Sequence, residues 1–231
     1  MTQFPIVGGE LVVGGLPLRR LAARVGRTPF YAYDRRLLTE RVDELRRVLP
    51  PGVKLHYAMK ANPMPALVDH MVRLVDGIDV ASAGELKIAL DAGADPAGIS
   101  IAGPGKRDDE LRQAVAAGVL VNIESVREIE ILAECSKALR LPARAAVRIN
   151  PDFELKSSGM SMGGGPKQFG IDAERVPQAL ERIGEVGLAF EGFHIFSGSQ
   201  NLRSDAIVES QRKGFELAAR LAAFAPGPIK T

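Results

Sequence analysis

The chain has 231 residues, 46% hydrophobic and 25% charged, the composition of an ordinary globular domain. A formal net charge of +2 is too small to argue for a nucleic-acid or membrane partner, and no apolar run approaches the ~20 residues that cross a bilayer. Cys135 is the single cysteine, so no disulfide closes within the chain, which fits a reducing cytoplasm, and MTQFPIVGGELVVGG lacks the basic start and apolar core of a signal peptide.

Residues 1–29, rich in Gly and Pro, read as an irregular lead-in, and residues 30–231 as one β/α domain. FYAYD (30–34) reads as a short strand. Leu38, Val42, Leu45 and Leu49 follow the spacing of one helix face. Strand-like runs then recur at KLHYAMK (54–60), GIDVAS (77–82), ISIAG (99–103), VLVNIE (119–124), ARAAVRIN (143–150) and AFEGFHIF (189–196), with helix-like segments between them. These runs read as apolar on both faces, as in strands buried between layers. Ser82 with Glu85, and Ser125 with Glu128, have the form of capping boxes that start helices. Alternating strands and helices predict parallel β/α units. Six in a row, with no glycine-rich dinucleotide turn after the first strand, predict an α/β fold of the TIM-type (β/α)8 barrel class rather than a doubly wound sheet. A closed barrel needs eight strands. With six counted, and APGPIKT at the end where a new strand would begin, the expectation is an incomplete barrel from the N-terminal part of a longer protein.

Working groups of such barrels sit where strands end and loops begin. Those ends carry Lys60, Asp79 to Ser82, Gly103, Asn122 to Glu124, Arg148 to Asn150 and His194 to Ser199, a polar rim of mixed charge suited to a small anionic ligand. Lys60 closes an apolar run and precedes Asn62 and Pro63. An amine flanked by apolar residues is desolvated, and its neutral form suits Schiff-base chemistry; a strand-end lysine reaching into water is the other reading. Asp79 orients a ligand or merely ends its strand. Glu85 is accounted for by its capping box. Arg148 lies in a run that reads as buried, so its guanidinium needs an anionic or polar partner. His194 and Phe196 alternate and share a face, Phe196 either lying against a flat ring or filling core. Ser197 to Gln200 form a short turn with hydroxyls and amides suited to an oxyanion.

GPGKR (103–107) is not a P-loop, since the first glycine and the final Ser/Thr are missing. GGGPKQFG (163–170) follows no clear strand and reads as a mobile loop. His56, His70, His194 and Cys135 show no metal-ligand spacing, and no Gly-x-Ser-x-Gly elbow is present.

YAMKAN, DVASAGEL, AGPGK, VNIES, RINP, FGI and GSQ, in that order from about residue 28 onward, together resemble the pyridoxal-phosphate decarboxylases of the alanine-racemase-like fold, which include the diaminopimelate and ornithine decarboxylases. FELKSSGMSMGGGPKQFGID and GFHIFSGSQNL are most similar to a subgroup associated with exosortase and exopolysaccharide gene clusters. The resemblance implies decarboxylation of an amino acid, pyridoxal 5'-phosphate as cofactor and a homodimer. It implies that Lys60 holds the cofactor through a Schiff base, that Asp79, Glu85, Arg148 and His194 surround it, and that Ser199 lies near its phosphate. Phe196 stands where the family usually has a histidine stacked on the cofactor ring, which keeps an aromatic face but loses a protonatable group. The Gly-Gly-Gly phosphate loop that the family carries on its seventh strand, its Glu-Pro-Gly-Arg glutamate and its C-terminal β domain are not in this sequence, so the chain by itself is expected to be inactive or nearly so. Other readings are a racemase-like or cofactor-carrying protein on the same fold, a cofactor-free Schiff-base aldolase, and a non-catalytic fragment.

Overall fold

Two glycine pairs shape the first structure in the chain. Gly8-Gly9 and Gly14-Gly15 all have positive φ, which a two-residue hairpin turn of type I′ requires at both positions. They join β1 (Ile6–Val7), β2 (Glu10–Val13) and β3 (Leu16–Pro17) into an antiparallel sheet, which is followed by α1 (Leu18–Val25). The expectation of an irregular lead-in over residues 1–29 is therefore corrected, and the Gly-Gly dipeptides between apolar residues were the signal for it. The computed structural model describes residues 3–153, 160–161, 167–199 and 201–231. Residues 163–166 of the GGGPKQFG segment, and Gln200, lie outside the described residues.

FYAYD is not a strand. Tyr31 is 90% exposed and no strand pairs with residues 30–34. Asp34 instead caps α2 (Arg35–Val48), accepting the Arg36 N–H at 2.9 Å, and also accepts the Gly14 N–H at 3.2 Å. The competing signal was an N-cap aspartate at the end of the aromatic run.

From there the β/α alternation runs as the periodicity predicts. In order come β4 (His56–Ala58), α3 (Pro65–Val72), β5 (Gly77–Val80), α4 (Ala83–Asp91), β6 (Ile99–Ile101), α5 (Asp108–Ala117), β7 (Leu120–Ile123), α6 (Val126–Leu139) and β8 (Arg144–Asn150). After β9 (Met160–Ser161) and β10 (Ile171–Asp172), the chain continues through α7 (Val176–Val186), β11 (Ala189–Ile195), β12 (Gly198–Ser199) and α8 (Ser204–Ala222). The strands β4, β5, β6, β7, β8 and β11 pair in parallel in that order. β10 adds two residues beside the end of β8, beyond the register that β7 covers. Lys230 and Thr231 donate to the Glu191 carbonyl on β11. The arrangement is an open arc of a TIM-type α/β barrel, with six β/α units among the described residues.

The strands are not apolar on both faces. One face packs Ile78, Val80, Ile99, Ile101, Val121, Ile123, Val147 and Ile149 into the core against the helices. Alternation sends the other face inward along the arc, and there stand His56, Asp79, Ser100, Asn122, Arg148 and His194. At the N-terminal ends of the strands, Arg144 forms a bidentate pair with Glu191 at 2.9 and 3.0 Å and donates to the Gly118 carbonyl at 3.0 Å. The polar groups of the inner face thus divide into a stitched base and a rim.

Candidate cofactor site

The rim is built on a buried ionic network. Lys106, Glu124, Glu128 and Arg148 are 6%, 6%, 1% and 9% exposed. Buried charges persist only when paired and hydrogen-bonded, and here each is. Arg148 Nη1 donates to both Glu124 oxygens, at 2.9 and 3.1 Å. The backbone N–H of Gly103 donates to Glu124 Oε1 at 2.6 Å and that of Gly170 to Oε2 at 3.2 Å. The Lys106 ammonium donates to the carbonyls of Gly103 at 2.6 Å and Asn122 at 2.9 Å, and lies 3.1 Å from Glu128 Oε2. Burial pushes the Glu128 carboxyl up from its ordinary value, and the Lys106 charge pulls it back. The Phe169 ring centroid lies 4.8 Å from the Arg148 guanidinium carbon, a cation–π contact.

This network corrects the capping-box reading at Ser125. The Ser125 side chain makes no cap bond, and Glu128 reaches past it to the Glu124 N–H at 2.9 Å. Lys106, hidden under the strand end, draws that carboxylate inward. At the other predicted box Ser82 does accept the Glu85 N–H, at 3.2 Å, while the Glu85 carboxylate reaches the Ala81 N–H at 2.7 Å. Glu85 is thereby pinned at the turn after β5.

A second string of hydrogen bonds crosses the inner face from β4 to β7. His56 Nδ1 is 3.0 Å from Asp79 Oδ1, Ser100 Oγ donates to the same oxygen at 2.9 Å, and Asn122 Nδ2 donates to Ser100 Oγ at 3.1 Å. Burial disfavours the Asp79 carboxylate, but the His56 hydrogen bond and charge and the Ser100 hydroxyl outweigh it and hold its pKa below the usual range. His194 pairs in register with Arg148. Its Nδ1 is buried without a hydrogen-bond partner among the described residues. Burial and the Arg148 charge push its pKa down to about 4, against the pull of Asp79 and Glu124, so it is a neutral imidazole at pH 7.

Lys60 lies in a 3-10 turn (Met59–Ala61) that directly follows β4. Met59 is fully buried in the core, whereas Lys60 is exposed and has no hydrogen-bond or ion-pair partner among the described residues. The expected desolvation of its amine is not what the structure shows. β4 is the edge strand of the arc, and its inner residues His56 and Ala58 are exposed as well. Phe196 follows the end of β11 and is half-buried, and Ser199 lies in β12, which pairs antiparallel with β9. The loop after β8 is thus tied to the loop after β11.

The sequence reading placed Lys60, Asp79, Arg148 and His194 on one rim, and the structure brings Asp79, Arg148 and His194 to one inner face. It missed Lys106, Ser100, Phe169, Gly170 and the role of Glu124 as the hub. GPGKR lacks the phosphate-loop pattern, so nothing local marks its lysine, and no sequence signal announces a salt bridge between residues this far apart. Gly170 has φ +78°, and a Cβ there would come within 2.9 Å of the Asn150 nitrogen and 3.0 Å of the Arg148 carbonyl. Gly170→Ala is therefore expected to destabilise the protein by about 1–3 kcal/mol, read as a lower midpoint in urea unfolding; an unchanged midpoint contradicts this packing.

A family profile described as the pyridoxal-binding domain of pyridoxal-dependent decarboxylases matches residues 35–225. The chain is 35% identical over 196 residues to a decarboxylase of the L-glutamyl-charged BtrI acyl-carrier protein from Niallia circulans, covering 84% of this chain and 46% of that one. It is 37% identical over 207 residues to the diaminopimelate decarboxylase of Zymomonas mobilis subsp. mobilis, covering 87% and 49%. The crystal structure of diaminopimelate decarboxylase from M. jannaschii with L-lysine superposes with a TM-score of 0.84 at 27% identity, over 95% of this chain and 53% of that one. The chain spans about half the length of the curated relatives it matches. With its arc of parallel strands, its lysine at the end of β4 and this match over most of its length, the chain belongs to the pyridoxal-phosphate-dependent decarboxylases of the alanine-racemase-like fold.

Proposed function

We propose that this protein decarboxylates an amino acid with pyridoxal phosphate, and that Lys60 is the residue that condenses with the cofactor aldehyde. The observation that carries this reading is the Lys60 amine, unpartnered among the described residues, in the turn that ends the strand adjoining β5 and its Asp79. The residues present fit the group. His194 Nδ1 is a buried polar atom on the inner face without a hydrogen-bond partner among the described residues, and a polar ligand there would satisfy it. Bound pyridoxal phosphate supplies an aldehyde that condenses with amines and a conjugated ring that takes up the electron pair left by a departing carboxylate.

The chain's own residues bind, orient and hold protons. Lys60, exposed in its turn, would hold the cofactor through its neutral amine and, when not bound to it, would hold or pass a proton. The Asp79 carboxylate, ionised at neutral pH, steadies a cation beside it. Arg148, held by Glu124 through Nη1 and lying against Phe169, contributes fixed positive charge that favours an anionic ligand. Phe196 offers an aromatic face, and Ser199 hydroxyl and backbone groups for a phosphate. Glu85 acts indirectly, by holding the turn that follows Asp79. Residues 30–231 form the cofactor-binding unit, the whole protein works as a homodimer, and it resides in the cytoplasm, where Cys135, the one cysteine of this sequence, stays reduced. No helix among the described residues is long and apolar enough to cross a membrane.

The test is covalent trapping. Incubation with pyridoxal phosphate and borohydride is expected to label one peptide, the one containing Lys60, and Lys60→Ala to abolish the label. Equal labelling of Lys60→Ala, or a label confined to another lysine, overturns the assignment. Release of carbon dioxide from a panel of amino acids, diaminopimelate among them, then identifies the substrate.

A further inference from the structure

We propose that His56 is a positioning residue that acts through Asp79, holding one carboxylate oxygen so that the other is presented to the Lys60 amine. The inference rests on the reading of Lys60 given above and deepens it. A carboxylate can turn about its last bond, and what stops it is what holds its oxygens.

At Asp79 both holding contacts fall on one oxygen. Oδ1 takes Ser100 Oγ at 2.9 Å and His56 Nδ1 at 3.0 Å. The direction of each bond follows from the donor inventory. Asn122 Nδ2 donates to Ser100 Oγ at 3.1 Å, which leaves the serine hydrogen for Asp79. An ionised carboxylate only accepts, so His56 carries its hydrogen on Nδ1. Oδ2 has no hydrogen-bond partner among the described residues, and Asp79 is only partly buried. The carboxylate is thus anchored by one edge and open at the other.

Register places that open edge. Asp79 is the pairing partner of Ala58, and Lys60 follows two residues later in the 3-10 turn that ends β4, a rise of about 4 Å that a lysine side chain spans. The imidazole reaches Asp79 only because of the residue beneath it. A Cβ at Gly77 would lie 2.5 Å from His56 Cε1 and 2.6 Å from Nε2. The ring therefore occupies the space that a side chain on the paired strand would take. The other charged groups that bear on the pair are Asp76, whose charge couples to His56, and His194 across the arc, which couples to Asp79. Among the described residues neither hydrogen-bonds to His56 or Asp79, so His56 and Ser100 set the carboxylate's orientation.

The experiment follows the rate at which pyridoxal phosphate becomes trapped at Lys60 by borohydride, with unfolding midpoints measured alongside. His56→Phe is expected to slow trapping about tenfold. His56→Asn, whose amide N–H can take the place of Nδ1–H, is expected to restore it to within about twofold. Asp79→Asn is expected to slow trapping as much as His56→Phe, and the double variant to be no slower than Asp79→Asn alone, the non-additivity of residues acting as one unit. A wild-type rate in His56→Phe, or a double variant slowed by the product of the two single effects, overturns the proposal while leaving Lys60 in place. Absence of trapping in the wild-type protein overturns the Lys60 reading, and the proposal with it. If phenylalanine at 56 prevents folding, imidazole nitrogen NMR of the wild type decides, with only three histidines to assign. Protonation at Nδ1 that is lost in Asp79→Asn is the expected result; a proton on Nε2 in the wild type overturns it.

Discussion

Lys106→Met is expected to lower the unfolding free energy by about 3–5 kcal/mol, the cost of removing one partner from a buried ion pair. The methionine nearly preserves volume, so the loss is electrostatic. It strips Glu128 of its counter-ion at 3.1 Å and takes the donor from two buried carbonyls, those of Gly103 and Asn122. Glu124 still has Arg148 and two backbone N–H donors. Glu128→Gln in the wild-type background costs less, because burial already pushes that carboxyl toward its neutral form. In the Lys106→Met background the same change removes an unpaired buried charge and recovers part of the loss, a coupling of about 1–3 kcal/mol. Urea unfolding of the four proteins at pH 7 reads all of this. A loss below about 1 kcal/mol for Lys106→Met contradicts the view that the network is dry and fully paired.

The second large effect is in pH. The unfolded chain protonates His194 near its ordinary value of 6.5, while the folded protein holds it down to about 4. Between those values the unfolded state binds more protons, so stability falls as the solution is acidified. The contribution is fully present above about pH 6.5 and is lost as pH drops through about 4, at a limiting slope of about 1.4 kcal/mol per unit and a total of about 3 kcal/mol. Carboxylates titrate in the same window, so the informative quantity is the difference between the wild type and His194→Gln. The expected result is a pH-dependence visibly shallower in the variant over that window, by about 3 kcal/mol in all. Parallel curves show that the histidine is solvated in the folded state.

Both predictions concern residues whose significance lay beyond the sequence in different degrees. His194 was legible as a polar residue on a strand that reads as buried, and its neutral state came only with the burial that folding imposes and with Arg148 as its register neighbour. Lys106 was not legible. It stands in GPGKR, a segment that looks like an exposed glycine loop, and its carboxylate partner Glu128 looked like half of a helix cap. Local patterns report what a residue does to its own backbone. An ion pair between a loop after β6 and a helix after β7 is a matter of which strands are neighbours. The lead-in and FYAYD failed for the same kind of reason. Composition marked Gly and Pro as irregular, while positive φ at paired glycines made hairpins; β-forming aromatics suggested a strand where no neighbour existed to pair with it.

The amino-acid sequence by itself determined the alternation of six strands and helices, because hydrophobic period and helix-start signals are local and repeat. Through its ordered motifs it also determined the family, and it put Lys60 at a strand end. The tertiary structure alone decided that the inner face is polar rather than apolar. It also decided that Glu124 gathers Arg148 and two backbone amides, that Asp79 is held by a single oxygen, and that the amine of Lys60 stands in solvent at the edge of the arc. Burial and electrostatic pairing depend on distances between segments far apart in the chain, and only the folded arrangement of the strands sets those distances.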